Sequence, residues 1–374
     1  MTKLVALILA LLCATSTFGQ DAAALQKQLD EMRQQIDVLS REIEALKNNQ
    51  QKPTATVEAN TTTYGLGAAA SKVYRTENGV SFGGYGEFRY ENLRGIETNA
   101  TLERAVLYTG YKFGPRAVFN SELEVEDAST ERGGNVSIEF AYLDYLLRPS
   151  VNARAGLMLM PMGLVNEQHE PTAYFGVERS LTEQFIIPST WSELGAGVFG
   201  DSGSLSYRGY LVAALDADAF ANGTVLREGR QAGVAINPGL AGVGRLDWHP
   251  VEGTMIGGSL YHGNTGEPLT IAEAHADARF RGVTLRGLVA SATLGNAGRF
   301  SLPHNFSGWY AEGGYELPHA ITPYVRYEQL KFFSSDSVST FGVAWRPFTQ
   351  SVIKVDYERR PSDETFRLGL GYIF

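Results

Sequence analysis

Thiols are almost absent from this chain: its 374 residues include one cysteine, Cys13. Beyond that position the sequence excludes disulfides, thiolate metal sites and a cysteine nucleophile together. Lysine is scarce as well, and after position 78 only Lys112, Lys331 and Lys354 remain. With a net charge of −9, no basic patch for nucleic acid is expected. The mean hydropathy is slightly negative, so no membrane-helix composition shows. The uninterrupted apolar run Leu4–Leu12 is too short to span a bilayer. An exported chain of this length without disulfides needs either a large core or a closed sheet.

The first stretch reads as an export signal. Met1-Thr2-Lys3 is a short positive start, the apolar run follows, and Thr17-Phe18-Gly19 offers small residues to a signal peptidase, so residues 1–19 are expected to be removed. A lipoprotein signal would place a small residue before Cys13, where Leu12 stands. Next, Leu25, Leu29, Met32, Ile36, Leu39, Ile43 and Leu46 recur in steps of four and three, a heptad seam flanked by charges. Residues 21–49 are therefore expected to form an α-helical coiled coil with copies of the chain. β-Branched a residues with leucine at d lean toward two strands, but Leu29 and Met32 weaken that lean. Membrane barrels of this size form trimers, and three copies is the reading. Residues 50–78, rich in Thr, Asn, Ala and Gly, read as a flexible linker.

From 79 to 374 the sequence becomes short alternating segments. In the final one Phe366, Leu368, Leu370, Tyr372 and Phe374 share one face, opposite Arg367, Gly369, Gly371 and Ile373. Leu107, Tyr111 and Phe113 likewise alternate with Arg104, Tyr108 and Lys112, and Ile353, Val355 and Tyr357 with Lys354, Asp356 and Glu358. Alternation alone fits a soluble sandwich or a membrane barrel. The connections decide between them. Tight turns at Gly114-Pro115, Pro149-Ser150, Asp201–Gly203, Pro250–Gly253, Arg281-Gly282, Pro318-His319 and Pro347–Gln350 are separated by connections that are mostly longer, such as 126–136, 161–193, 216–230 and 294–306. That asymmetry predicts an all-β fold, a 16-stranded antiparallel transmembrane β-barrel with short periplasmic turns. A barrel this wide is expected to leave an aqueous lumen whose charges stay wet.

Inward parity nominates Arg89, Arg104, Arg154, Arg208, Arg286 and Arg326, together with Asp144, as pore lining, and Glu178 and Arg179 in the third long connection as the constriction. For any single arginine, bracing the wall is the competing role. His169 with Glu167 and Glu170 reads as a solvated loop rather than a metal site, and Glu273, His275 and Asp277 as water-facing lining.

Several motifs together resemble the phosphate-selective porin O and P family: Ala141-Tyr142-Leu143-Asp144-Tyr145, Ala155-Gly156, Pro161-Met162-Gly163-Leu164, Val177-Glu178-Arg179-Ser180 and the terminal Gly369-Leu370-Gly371-Tyr372-Ile373-Phe374. The resemblance covers about Gly79–Phe374. It implies sixteen strands, a trimer, and a third loop, here Pro161–Glu193, that folds into the lumen and narrows it. Phosphate selectivity in that family rests on clustered lysines and an arginine ladder. Here 24 basic residues face 33 acidic ones over 79–374, and Met158, Met160 and Met162 stand where the family tends to be polar. The resemblance is therefore carried to the architecture and not to the substrate.

The function expected is an outer-membrane porin of a Gram-negative cell, a passive channel for small hydrophilic solutes or ions, embedded in outer-membrane lipid with its N-terminal segment in the periplasm. Such a channel needs no cofactor, no metal and no catalytic group, and no Ser/His/acid arrangement argues for an enzyme. The alternative is an envelope tether, in which the coiled coil reaches the cell wall and the barrel is chiefly its anchor.

Overall fold

The computed structural model describes residues 27, 34, 62–94, 96–127, 134–220, 226–236 and 239–374. The signal peptide, the coiled coil and the first part of the linker lie outside these residues, except Lys27 and Gln34, which are helical and exposed. Two compact units divide the chain, Met1–Glu58 and Ala59–Phe374, and the sheet belongs to the second.

That sheet is a closed barrel of sixteen antiparallel strands, as the alternation predicts. In chain order they are β1 Gly79–Leu93, β2 Glu97–Lys112, β3 Ala117–Glu126, β4 Asn135–Arg148, β5 Val151–Leu159, β6 Ser192–Ser202, β7 Leu205–Ala213 and β8 Leu240–Trp248. They continue with β9 Thr254–Asn264, β10 Pro268–Phe280, β11 Val283–Leu294, β12 Asn305–Tyr315, β13 Ile321–Lys331, β14 Ser335–Trp345, β15 Ser351–Arg359 and β16 Glu364–Ile373. Each pairs with its sequence neighbours. β1 closes on β16 from Tyr85↔Ile373 to Leu93↔Thr365. Phe374 is held as well, exchanging backbone bonds with Gly84 of 2.9 and 3.1 Å.

The connections at the end where β1 begins are all tight: 113–116, 149–150, 203–204, 249–253, 281–282, 316–320 and 346–350. At the other end the length is concentrated in 127–134, 160–191, 214–239 and 295–304, whereas 94–96, 265–267, 332–334 and 360–363 are as short as the turns. This corrects the expectation that the loops of that end are mostly long.

Faces follow the pleat. On β16, Phe366, Leu368, Leu370 and Tyr372 are exposed, while Thr365, Arg367 and Ile373 are buried. Three β-bulges interrupt the described strand pairs, and two of them move a charged residue out of the parity that the sequence suggests. β2 pairs Arg104 with Glu87 and Leu102 with Phe88, so Glu103 is the extra residue. β4 pairs Phe140 with Glu122 and Ile138 with Leu123, which makes Glu139 the extra one. A bulge lets two consecutive side chains turn toward the same side.

The interior is the main departure from expectation. Its predicted wet lumen is largely filled by two segments. Residues 62–78, read from sequence as the end of a flexible linker, are packed inside: Leu66, Ala68, Ala69, Ala70 and Val73 are buried, and a single helical turn spans Lys72–Arg75. Residues 160–191 also fold inward, and the wall is hollowed by glycine to receive them. A Cβ on Gly371 would stand 2.4 Å from Pro171, and one on Gly308 would stand 2.8 Å from Thr182. The reason for the inward fold is composition. Leu181, Ile186, Ile187 and Trp191 are apolar and join Met158, Met160, Met162, Tyr261, Leu288 and Phe306 in a dry core, with Trp191 and Tyr261 rings 4.9 Å apart. Burying that surface outweighs leaving the loop in water.

Candidate functional site

Among the described residues, two polar chambers open inside the barrel. One, of about 260 Å³, lies toward the loop end and is lined by Glu87 and Arg89 of β1, Glu103 and Arg104 of β2, Glu126 of β3, Arg227, and Tyr174, Val177, Glu178, Arg179 and Gln184 of the third loop. The other, of about 290 Å³, lies toward the turn end, between Ala68, Glu170, Thr172, Tyr174 and Phe175 on one side and Arg279, Arg286, Glu316, Thr322 and Arg346 on the other. Each has room for a small polar solute with some of its water.

In the outer chamber four arginines face four glutamates. Arg89 pairs with Glu178 and, at 2.9 Å, with Glu103; Arg104 pairs with Glu87 at 3.4 Å and Glu124 at 3.4 Å. The bulge explains how adjacent Glu103 and Arg104 both reach this space. Burial works to raise the Glu178 carboxyl, but Arg89 and Arg367 prevail and hold it below its ordinary range. Burial and the nearby Arg230 push Arg227 down. Arg179 and Arg227 have no carboxylate within 4 Å among the described residues.

The nine residues nominated from sequence therefore separate. Arg89, Arg104, Glu178 and Arg179 meet in the outer chamber, and Arg286 lines the inner one, paired with Asp277 at 2.9 Å. Asp144, Arg154, Arg208 and Arg326 line neither chamber. Arg154 makes a two-pronged bond to Asp144, 2.8 and 2.9 Å, with its guanidinium 3.9 Å from the Tyr142 ring centroid. Arg208 bridges Glu167 and Asp247, both at 3.2 Å. Arg326 lies 3.0 Å from Glu328 and donates to the Glu178 carbonyl. These four are buried, paired braces, because residues 62–78 and the inward loop cover them.

Two further expectations are corrected for the same reason. His169 is 2% exposed rather than solvated, with Nε2 3.1 Å from Glu122. Glu273 and His275 are buried too: His275 lies between Glu273 and Asp247 at 2.9 Å each, while Asp277 serves Arg286. Sequence reasoning missed Glu103, whose bulge leaves no local signature, and Tyr174, an aromatic with nothing to distinguish it in a loop.

The loop is tied to residues 62–78 by Glu170, whose Oε1 accepts from the backbone N–H of Ala69 at 2.8 Å and Ala70 at 3.0 Å. Burial pushes Glu170 up to about 7, and burial with Arg179 pushes His169 down to about 4. A raised carboxyl favours the fold fully below its unfolded value and loses that contribution as pH rises through about 7. A depressed imidazole favours it above its unfolded value and loses that as pH falls through about 4. The two adjacent groups offset each other between those limits. Glu170→Gln retains a carbonyl acceptor and removes one of them, so it is expected to leave residues 62–78 docked at pH 7.5 and to make them acid-sensitive as pH falls from 6.5 to 4. Glu170→Ala strands two buried N–H groups, at about 1–3 kcal/mol each, and is expected to expose Lys72 and Arg75 to trypsin at every pH. Equal cleavage of Glu170→Ala and wild type in detergent would refute the tie.

A closed sixteen-stranded barrel with a long third loop folded inside it defines the porin class of fold. No family model matches the chain. The solved structures it resembles include OmpF of Salmonella typhi in complex with daunomycin, at TM-score 0.58 and 12% identity over 80% of this chain and 98% of that one. They also include OmpT of Vibrio cholerae, folded in vitro, in its trimer form, at TM-score 0.57 and 10% identity over 80% and 100%. At such identities the likeness is one of fold. An uncharacterized protein of Aquifex aeolicus (strain VF5) is 32% identical over 365 residues, 83% of each chain, and the chain belongs to the family of that protein.

Proposed function

We propose that this protein is an outer-membrane porin in which small hydrophilic solutes pass from the outer chamber, past the third loop, to the inner one. The observation that carries this reading is the pair of polar chambers at opposite ends of a closed barrel whose outward face is apolar. The third loop is the constriction. Because arginines and glutamates balance in the outer chamber, fixed charge there gives little preference for either sign of ion, despite the acidic whole. The phosphate preference of the family that the motifs resemble has no counterpart in such a lining. A homotrimer is the assembly proposed, on the strength of the heptad seam, and the OmpT comparison in its trimer form is consistent with it.

Purified protein in planar bilayers is expected to give discrete conductance steps grouped in threes. In a tenfold salt gradient the reversal potential is expected to stay near zero, with cation and anion permeabilities within about threefold. A bilayer that stays silent, or a strongly one-signed reversal potential, overturns the respective part of the reading.

A further inference from the structure

Tyr174 is the one residue among those described that lines both chambers. The third loop passes from the inner chamber at Thr172 and Ala173 to the outer one at Val177 and Glu178, and Tyr174 stands where it crosses. Its ring is held from two sides. The phenol donates to Glu87 Oε1 at 3.0 Å, and the Lys354 ammonium lies 3.7 Å from the ring centroid. Lys354 is in turn fixed by a 2.7 Å bond to the Gly176 carbonyl, and Phe175 stacks on Tyr324 with centroids 5.5 Å apart. A buried ammonium is attracted to the negative face of an aromatic ring. The ring is thus anchored on the wall, on the line between the two open spaces.

We propose that the Tyr174 ring is the aperture of the channel, the single partition whose bulk sets the largest solute that moves between the chambers. This rests on the channel reading above and adds to it a residue that determines size specificity. The partition is the ring itself, and the bond to Glu87 only orients it. Charge selectivity is left to the arginines and glutamates on either side.

Three variants of the full chain in planar bilayers test the assignment, each checked for folding by its heat-dependent gel mobility. Tyr174→Ala is expected to raise single-channel conductance at least about threefold and to admit larger neutral polyethylene glycols. Tyr174→Phe keeps the ring and loses only the bond to Glu87, and is expected to keep the wild-type exclusion size. Tyr174→Trp enlarges the ring over Lys354 and is expected to lower conductance, which supplies a reading even if the alanine variant does not fold. A residue that merely fastened the loop would make Tyr174→Phe behave like Tyr174→Ala, and that result overturns the proposal. Wild-type conduction with no change in the alanine and tryptophan variants also overturns it, and leaves the channel reading standing. Silence from wild type, whatever the variants do, overturns both.

Discussion

Asp144→Ala is expected to destabilise the barrel by about 3–5 kcal/mol, because it leaves a buried guanidinium without its counter-ion. Asp144 and Arg154 are each 2% exposed. The Asp144 carboxylate takes both prongs of the Arg154 fork and also the Tyr74 hydroxyl at 2.6 Å. Removing it strands a charge and frees residues 62–78 at a second point besides Glu170. The double variant Asp144→Ala/Arg154→Met removes both charges and keeps most of the volume. Apolar replacement of a buried pair is often close to neutral, so it is expected to recover most of the loss. Equilibrium unfolding in urea, followed by tryptophan fluorescence, measures both. A single variant within about 1 kcal/mol of wild type would show that water reaches the pair after all.

The sixteen strands were legible because period-two alternation and turn residues are local, and a closed sheet obeys them strand by strand. Leu368 and Arg367 fall on the faces that their spacing assigns. The interior was legible only in part. Arg89, Arg104, Glu178 and Arg179 do meet, since inward parity and the third loop brought them to the same end of the barrel. Arg154, Arg208 and Arg326 have the same parity and yet make buried pairs. What separates the two sets is where residues 160–191 and 62–78 lie, which depends on contacts between residues far apart in sequence. Glu170 with Ala69, Val177 with Asp356 and Leu181 with Glu328 are such contacts, at 2.7–2.8 Å. Small residues misled most. Gly65, Gly67 and the alanines after them read as flexible chain, but their lack of bulk is what lets the segment lie against the third loop: a Cβ on Gly67 would stand 2.4 Å from the Glu170 carboxyl carbon. The bulge at Glu103 is the converse case, in which one extra residue moves a charge across the sheet with no composition signal.

Leu260→Arg is the second change with a large expected effect, and it tests which side of the sheet meets hydrocarbon. Leu260 is near the middle of β9, 53% exposed, and its cross-strand neighbours are Gly244 and Ala272. Neither neighbour can shield or pair with a guanidinium. If the outward face lies in a bilayer, the charge sits near the midplane and costs about 2–4 kcal/mol, whereas Ile256→Arg, on the same face two same-face steps nearer the turn-end rim, costs about 0–1 kcal/mol. If the apolar face instead met water, both substitutions would be exposed surface changes within about 0.5 kcal/mol of wild type. Equilibrium denaturation of the refolded protein in phosphatidylcholine vesicles distinguishes the two, because depth dependence has no origin in a uniform aqueous surface. The interior pairs supply the internal contrast. Asp144→Ala is costly in detergent and vesicles alike, since its environment is protein, while Leu260→Arg draws its cost from the lipid and loses much of it wherever a softer micelle lets the long side chain reach water.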